Sequence, residues 1–260
     1  MTALTYYFSN IKNETIKLKR TFAFWLTIIS GLLIPVLFFI VYLVKHKDLI
    51  PAEGISPWDK FMVNQIKNSI PFFVPIFIVL ITSLIIQIEH KALGIKHLFA
   101  LPIPKWSVFF GKLSIVIITI ILTYIYFYIA ILFFGTLLGI IHSDFGFLDF
   151  QPEHFKYIKM LISSFVASLG IVGIQFWLSF RFKNFIVPLA VGMILVIIGL
   201  IASQAPESIY FPYSYNVLSI SLVNKMPLTF GISTITVYSV LCFVVTAILG
   251  YLDIKRLNVK

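Results

Sequence analysis

Six runs of about twenty apolar residues, at 22–44, 70–88, 113–141, 160–180, 185–203 and 231–252, consume most of this 260-residue chain. A helix rises about 1.5 Å per residue, so each run matches the ~30 Å hydrocarbon thickness of a bilayer. Composition decides between membrane spans and helices buried in a soluble core. The chain is 60% hydrophobic and 12% charged, whereas soluble domains hold about 45–50% apolar and about 25% charged residues. The expected fold is therefore an all-α integral membrane protein of six transmembrane helices in one domain. The first run exceeds the roughly 7–15 residues of a signal-peptide core, and no small-x-small cleavage site follows Val44, so it reads as a span. Pro35, Pro71, Pro75 and Pro188 lie in or at the start of runs and read as kinks, which membrane helices tolerate.

Lys and Arg in the connections set the orientation, because positive residues are retained on the cytoplasmic side. With the N-terminus inside, thirteen fall inside and seven outside, while the acids divide three to seven the other way. The predicted topology is N-in, C-in. The net charge of +10 is then a topological signal, and no nucleic-acid partner is implied. Membrane lipid is the expected surroundings.

Two segments stand apart from the spans. Residues 1–20 form a basic amphipathic stretch: at 100° per residue, Leu4, Tyr7, Phe8, Ile11, Leu18 and Phe22 gather on one arc, and Lys12, Asn13, Lys17, Lys19 and Arg20 on the other. Glu14 and Lys17 are spaced to pair at i,i+3. The connection 89–106 is too long for a tight turn and alternates Leu93, Ile95, Leu98 and Phe99 with Lys91, Lys96 and Lys105. Pro102 and Pro104 stop any helix near Ala100. Apolar residues projecting from the membrane on a short helix need either headgroups or a protein partner.

The amphipathic N-terminal helix with Glu14 before Lys-Leu-Lys-Arg, the six runs and the acid-headed loop ending in LFALPIPKWSVFFGK together resemble the permease subunits of type-2 ABC exporters. The resemblance spans essentially the whole chain. It implies that 1–20 is an elbow helix, with Glu14, Lys17, Lys19 and Arg20 at its polar face. It also implies that Leu93, Gly94, Ile95, Lys96, His97, Leu98 and Phe99 form a coupling helix that docks on a separate ABC ATPase. A second six-span permease, identical or paralogous, would complete the pathway. Residues 205–230 would fold as a re-entrant region over the outer mouth, and YFPYSYNVL within them is similar to lantibiotic-immunity permeases. The implied setting is a bacterial inner or plasma membrane.

Missing motifs narrow the chemistry. FFGKLS around Lys112 lacks the upstream glycine of a phosphate-binding loop, so this chain is expected to bind no cofactor, with ATP and Mg held on the partner subunit. No Asp, Glu, Lys or Arg falls near the middle of a run, which disfavours ion-coupled transport. Neither Cys242 nor the five histidines have metal-ligand spacing, and the chain reads as a transport subunit rather than an enzyme. Polar residues inside runs, Tyr124 with Tyr128, Ser164 with Ser168, and Gln175, either line a pathway or bond across helices; hydrophobic or amphipathic cargo, an antimicrobial peptide or a drug, would suit such walls. Gly135 with Gly139, and Ala167, Gly170 and Gly173, fit close helix approach. The alternative class, an enzyme or assembly factor acting on lipid-linked substrates, would use Asp144, Asp149, Glu153 and His154 in the second outer loop.

Overall fold

The computed structural model describes residues 3–52, 54–91, 104–223 and 233–256. The proposed ATPase-docking residues, Leu93 through Phe99, lie outside the described residues, as does the stretch 224–232 of the outer region. In chain order the helices are α1 (Ala3–Leu18), α2 (Phe22–Val44), the short α3 (His46–Leu49), α4 (Pro57–Asn68), a π-helical turn (Ser69–Phe73), α5 (Val74–Lys91), α6 (Lys105–Ile141), α7 (His154–Arg181), α8 (Ile186–Ala202), α9 (Tyr215–Val223) and α10 (Thr234–Arg256). Short 3-10 turns at Ser143–Phe145, Pro206–Tyr210 and Pro212–Ser214 complete the order.

Among the described residues, five helical stretches are long and apolar enough to cross a membrane: Phe22–Val44, Pro57–Ile88, Lys105–Ile141, His154–Arg181 and Thr234–Arg256. The expected fifth span is the shorter Ile186–Ala202, 17 residues long; at about 1.5 Å per residue it measures ~25 Å. Boundaries shift most at 70–88. That helix starts at Pro57, because Pro57 is preorganised for a first helical turn and Asp59 sits in it, where a carboxylate is favoured by the helix dipole. The region around Pro71 was expected only to kink. It forms instead a π turn at Ser69–Phe73, where Pro71 has no N–H to donate to the ladder. α6 likewise starts at Lys105, capped by Pro104, eight residues before the expected Leu113.

The helices pack as two groups. α6 lies along α2 and α1, while α7 lies along α10 and α5, and α5 along α8. Between the groups, α2 meets α5, and α6 meets α5, α7 and α10, over much shorter stretches. The α7–α10 seam uses the small residues: a Cβ on Gly173 would overlap the Thr246 hydroxyl, and Ser239 Oγ donates to Val166 O at 2.8 Å. Gly135 and Gly139 do permit close approach, Gly135 of a side chain of α4 and Gly139 of the α6–α7 connection. A Cβ on Gly135 would overlap the Trp58 ring, and one on Gly139 would meet Phe147 and Leu148.

Trp58 locks this end of the bundle. It is 2% exposed, and its Nε1 donates to Phe147 O and Phe150 O, both at 2.9 Å, so α4 and the α6–α7 connection are held together. Asp59 beside it accepts from Lys156 and, at 3.0 Å, from Tyr157 Oη. Trp58→Phe keeps an aromatic ring and removes the donor. It is expected to cost about 1–3 kcal/mol by leaving the carbonyl of the buried Phe147 without this partner, read as a lower thermal-unfolding midpoint in detergent. Trp58→Ala adds a cavity and is expected to cost about 3–5 kcal/mol.

Candidate functional site: the α1–α6 seam and the cavity beside it

α1 is amphipathic as expected, but its apolar arc divides. Ile11 and Leu18 pack on the main core, while Leu4, Phe8 and Ile16 are 65%, 63% and 58% exposed and face away from the protein. The inward face meets the first three turns of α6 through polar contacts. Asn10 Nδ2 donates to Ser107 Oγ at 2.7 Å, Tyr7 and Ser114 share a hydroxyl hydrogen bond of 2.5 Å, and the Tyr7 ring stacks on Trp106 with centroids 6.2 Å apart. Glu14 joins two cations: Lys17 at 3.0 Å within its own helix, as spacing predicted, and Lys112 of α6 at 2.5 Å.

The apolar run starting at residue 113 predicts Lys112 to be a charge in the connection ahead of it. In the structure it lies inside α6 and is 1% exposed. An ammonium so placed costs several kcal/mol in lost hydration unless a partner compensates, and Glu14 supplies that partner across the helix boundary. Lys19 and Arg20, expected on the same polar face, are exposed beyond the seam. The whole seam sits at the start of α6, directly after the segment 92–103.

The same end of the bundle gathers other chain ends. His90 of α5 lies 3.2 Å from Ser179 O of α7, Arg181 donates to Asp253 of α10 at 3.3 Å, and Lys105 reaches Lys255 O at 3.5 Å. Alternation of the long helices therefore brings α1, Lys91, Lys105, Arg181 and Arg256 to one face of the bundle, which we term basal.

The interior polar residues take three different roles. Gln175 is fully buried and ties three elements: its Nε2 donates to Ser83 Oγ at 3.1 Å and Pro188 O at 2.8 Å, and its Oε1 accepts from Tyr213 Oη at 3.4 Å. Ser164 shares a 2.8 Å hydrogen bond with Tyr124, and Ser168 donates back to Phe165 O at 2.7 Å. Tyr128 does not follow Tyr124; it pairs with His154 Nδ1 at 2.6 Å, and His154 is the first residue of α7 rather than a loop histidine. Tyr124 also borders a cavity of about 200 Å³ between α2, α6 and the π turn, walled by Leu33, Ile70, Phe73, Phe77 and Phe127. Sequence reasoning passed over Gln65 and Asn216, which are fully buried with no hydrogen-bond partner among the described residues; buried amides of this kind are ordinarily met by ordered water. Among the described residues no three of His, Cys, Asp and Glu come together to hold a metal.

Long apolar helices in one alternating bundle, with an amphipathic helix bound to its base, define a multi-pass membrane protein. The chain belongs to the ABC-2 family transporter proteins, whose family model matches residues 10–199, and it is accordingly an ABC permease subunit, a membrane component of transport. That family implies association with an ABC ATPase in general terms. Comparison with curated proteins and with solved structures gave no significant match.

The two partners of the buried ion pair differ in exposure, which predicts unequal costs. Glu14→Gln strips a carboxylate from an ammonium that has no route to water and is expected to cost about 3–5 kcal/mol. Lys112→Met leaves a carboxylate that retains 11% side-chain exposure and is expected to cost less. A double-mutant cycle on thermal unfolding measures both and the coupling between them.

Proposed function

We propose that this chain is the six-span permease of an ATP-driven exporter. In this reading, the 17-residue α8 also crosses the membrane, as the fifth of six spans, and both chain ends are cytoplasmic. A separate ABC ATPase holds ATP and Mg and docks on Leu93, Gly94, Ile95, Lys96, His97, Leu98 and Phe99. A second permease, identical or paralogous, encloses the pathway with this one, in a bacterial inner or plasma membrane.

The observation that carries the reading is the α1–α6 seam. Residues 92–103 connect α5 to α6, and they are therefore the one covalent link between the two helix groups at the base. A push delivered there reaches α6 first. Because α1 is held to α6 by the Glu14–Lys112 pair and α2 packs along α6, the push moves α1, α2 and α6 as one body relative to α5, α7, α8 and α10. The cavity beside Tyr124 lies between α2, α6 and the π turn ahead of α5, where such motion changes its shape. Its apolar walls suit hydrophobic or amphipathic cargo, which we take to be an antimicrobial peptide or a drug, and residues 205–230 are taken as a re-entrant region over the outer mouth, a reading supported by the Tyr213–Gln175 tie to α7. Tyr124 is the pathway-lining residue of this scheme, while Tyr128, Ser164, Ser168 and Gln175 hold helices to one another.

The lipid-linked enzyme alternative has less support. His154 is engaged by Tyr128 and Glu153 lies 4.0 Å from Lys156, so two of the four residues take part in contacts that tie α7 to its surroundings.

Two measurements test this. Truncating buried anchors of an interface typically costs about 1–4 kcal/mol of binding, so Leu98→Ala with Phe99→Ala is expected to abolish co-purification of the ATPase while the permease still inserts. Equal retention of the ATPase by the double variant would remove the docking assignment. For topology, single cysteines at the exposed Gly54 and Asp149 are expected to react with an impermeant thiol reagent in intact cells, and one at Lys183 is not. Labelling at Lys183 would invert the orientation.

A further inference from the structure

The basal ends of α7 and α10 line a groove of about 440 Å³. One wall is apolar: Phe182, Leu249 and Leu252 are 39%, 43% and 41% exposed. The rim is polar and mostly cationic. Arg181 donates to Asp253 Oδ1 at 3.3 Å yet keeps 59% side-chain exposure, and Trp177 Nε1 reaches Asp253 Oδ2 at 3.4 Å. Arg256 also lines the groove; it is exposed and carries no ion pair among the described residues. Exposed Lys183 and Lys255 flank the two arginines in sequence.

We propose that this groove binds an acidic phospholipid of the basal leaflet, with its phosphodiester on Arg181 and Arg256 and an acyl chain along Leu249 and Leu252. Several features favour this occupant. The guanidinium groups match phosphate oxygens in a two-point geometry. Asp253 offsets only part of the lining's positive charge, so a headgroup with net negative charge is preferred over a zwitterionic one. A soluble anion would use the arginines and leave the apolar wall wet, whereas a lipid occupies both. Basic pockets between membrane helices at the cytoplasmic surface attract anionic lipid in this way. Asp253 takes a second role as the group that holds Arg181 and Trp177 in place at the rim. The inference rests on the membrane placement of α7 and α10 and on their basal ends facing headgroups; it does not depend on an ATPase or on transport.

The test uses the purified full chain in nanodiscs of equal phosphatidylglycerol and phosphatidylcholine, followed by native mass spectrometry of the lipids retained after release. Wild type is expected to retain phosphatidylglycerol over phosphatidylcholine by about fivefold or more. Arg256→Gln, an exposed change that should leave the elution profile unaltered, is expected to reduce that preference about fivefold, and Arg256→Lys to keep part of it. Leu249→Trp fills the apolar wall and is expected to lower retention with the charges intact. Glycerol phosphate at matched concentration should not displace the lipid; displacement would mark a site for soluble phosphate and overturn the proposal. Equal retention of the two lipids by wild type, or an unchanged preference in Arg256→Gln, would also overturn it. So would loss of a co-purifying ATPase in Arg256→Gln with lipid retention unaffected, since the groove would then be a protein interface.

Discussion

A lysine that is 1% exposed inside a membrane-facing helix needs a countercharge, and in this protein Glu14 of a different helix provides one at 2.5 Å. The position of α1 follows from that requirement. Its hydrophobic arc alone would let α1 rest anywhere on a headgroup surface, because interfacial binding is not specific to one rotation or one neighbour. The buried Lys112, with Asn10–Ser107 and Tyr7–Ser114 on either side, fixes which helix α1 joins and at what level. α2 follows directly, separated from α1 by three residues in which Thr21 Oγ1 donates to Leu18 O at 2.8 Å.

The remaining polar ties hold the other helix group together. Arg181–Asp253 joins α7 to α10 at the base, and Gln175 joins α7, α5, the start of α8 and the turn containing Tyr213 in the interior. At the far end, Trp58 reaches across to the α6–α7 connection. Between the groups lie apolar contact, the cavity beside Tyr124 and further polar ties, Tyr124–Ser164 and Tyr128–His154 from α6 to α7 and Lys105–Lys255 O from α6 to α10. Apolar contact is non-directional, whereas each polar tie has a defined geometry. Polar ties thus concentrate within each group and fewer cross between them, and under the proposed function this boundary is where relative motion is expected.

Hydropathy made five of the six apolar runs legible as long apolar helices, with the sixth run a shorter one, and the i,i+3 spacing of Glu14 and Lys17 gave a contact that the structure contains. It failed where polarity and helicity part company. Lys105 to Lys112 are helical but carry two lysines, so a search for apolar runs began α6 too late and left Lys112 in a loop. Trp58, Asp59 and Lys60 in the same way concealed α4, although Pro57 and Asp59 form a recognisable helix start. Tyr124 and Tyr128 share a helix face, yet what each touches depends on where α7 begins, and spacing along one helix carries no information about its neighbour. Gly135 shows the same limit: the glycine correctly marked a close approach, and only the fold reveals that the approaching group is an indole ring.

The central claim is that α1 and α6 travel together. It can be tested by a cross-link inside the seam, where a Cβ placed on Gly111 would lie 3.3 Å from Asn10 Cβ, near the separation that a disulfide requires. In a Cys242→Ser background, Asn10→Cys with Gly111→Cys is expected to oxidise readily, and the oxidised permease, assembled with its ATPase, should retain the ATP-driven transport of its reduced form. Failure of the bridge to form would contradict the placement of α1. Loss of transport on oxidation, restored by reductant, would show that α1 moves against α6 during the cycle and would contradict the account.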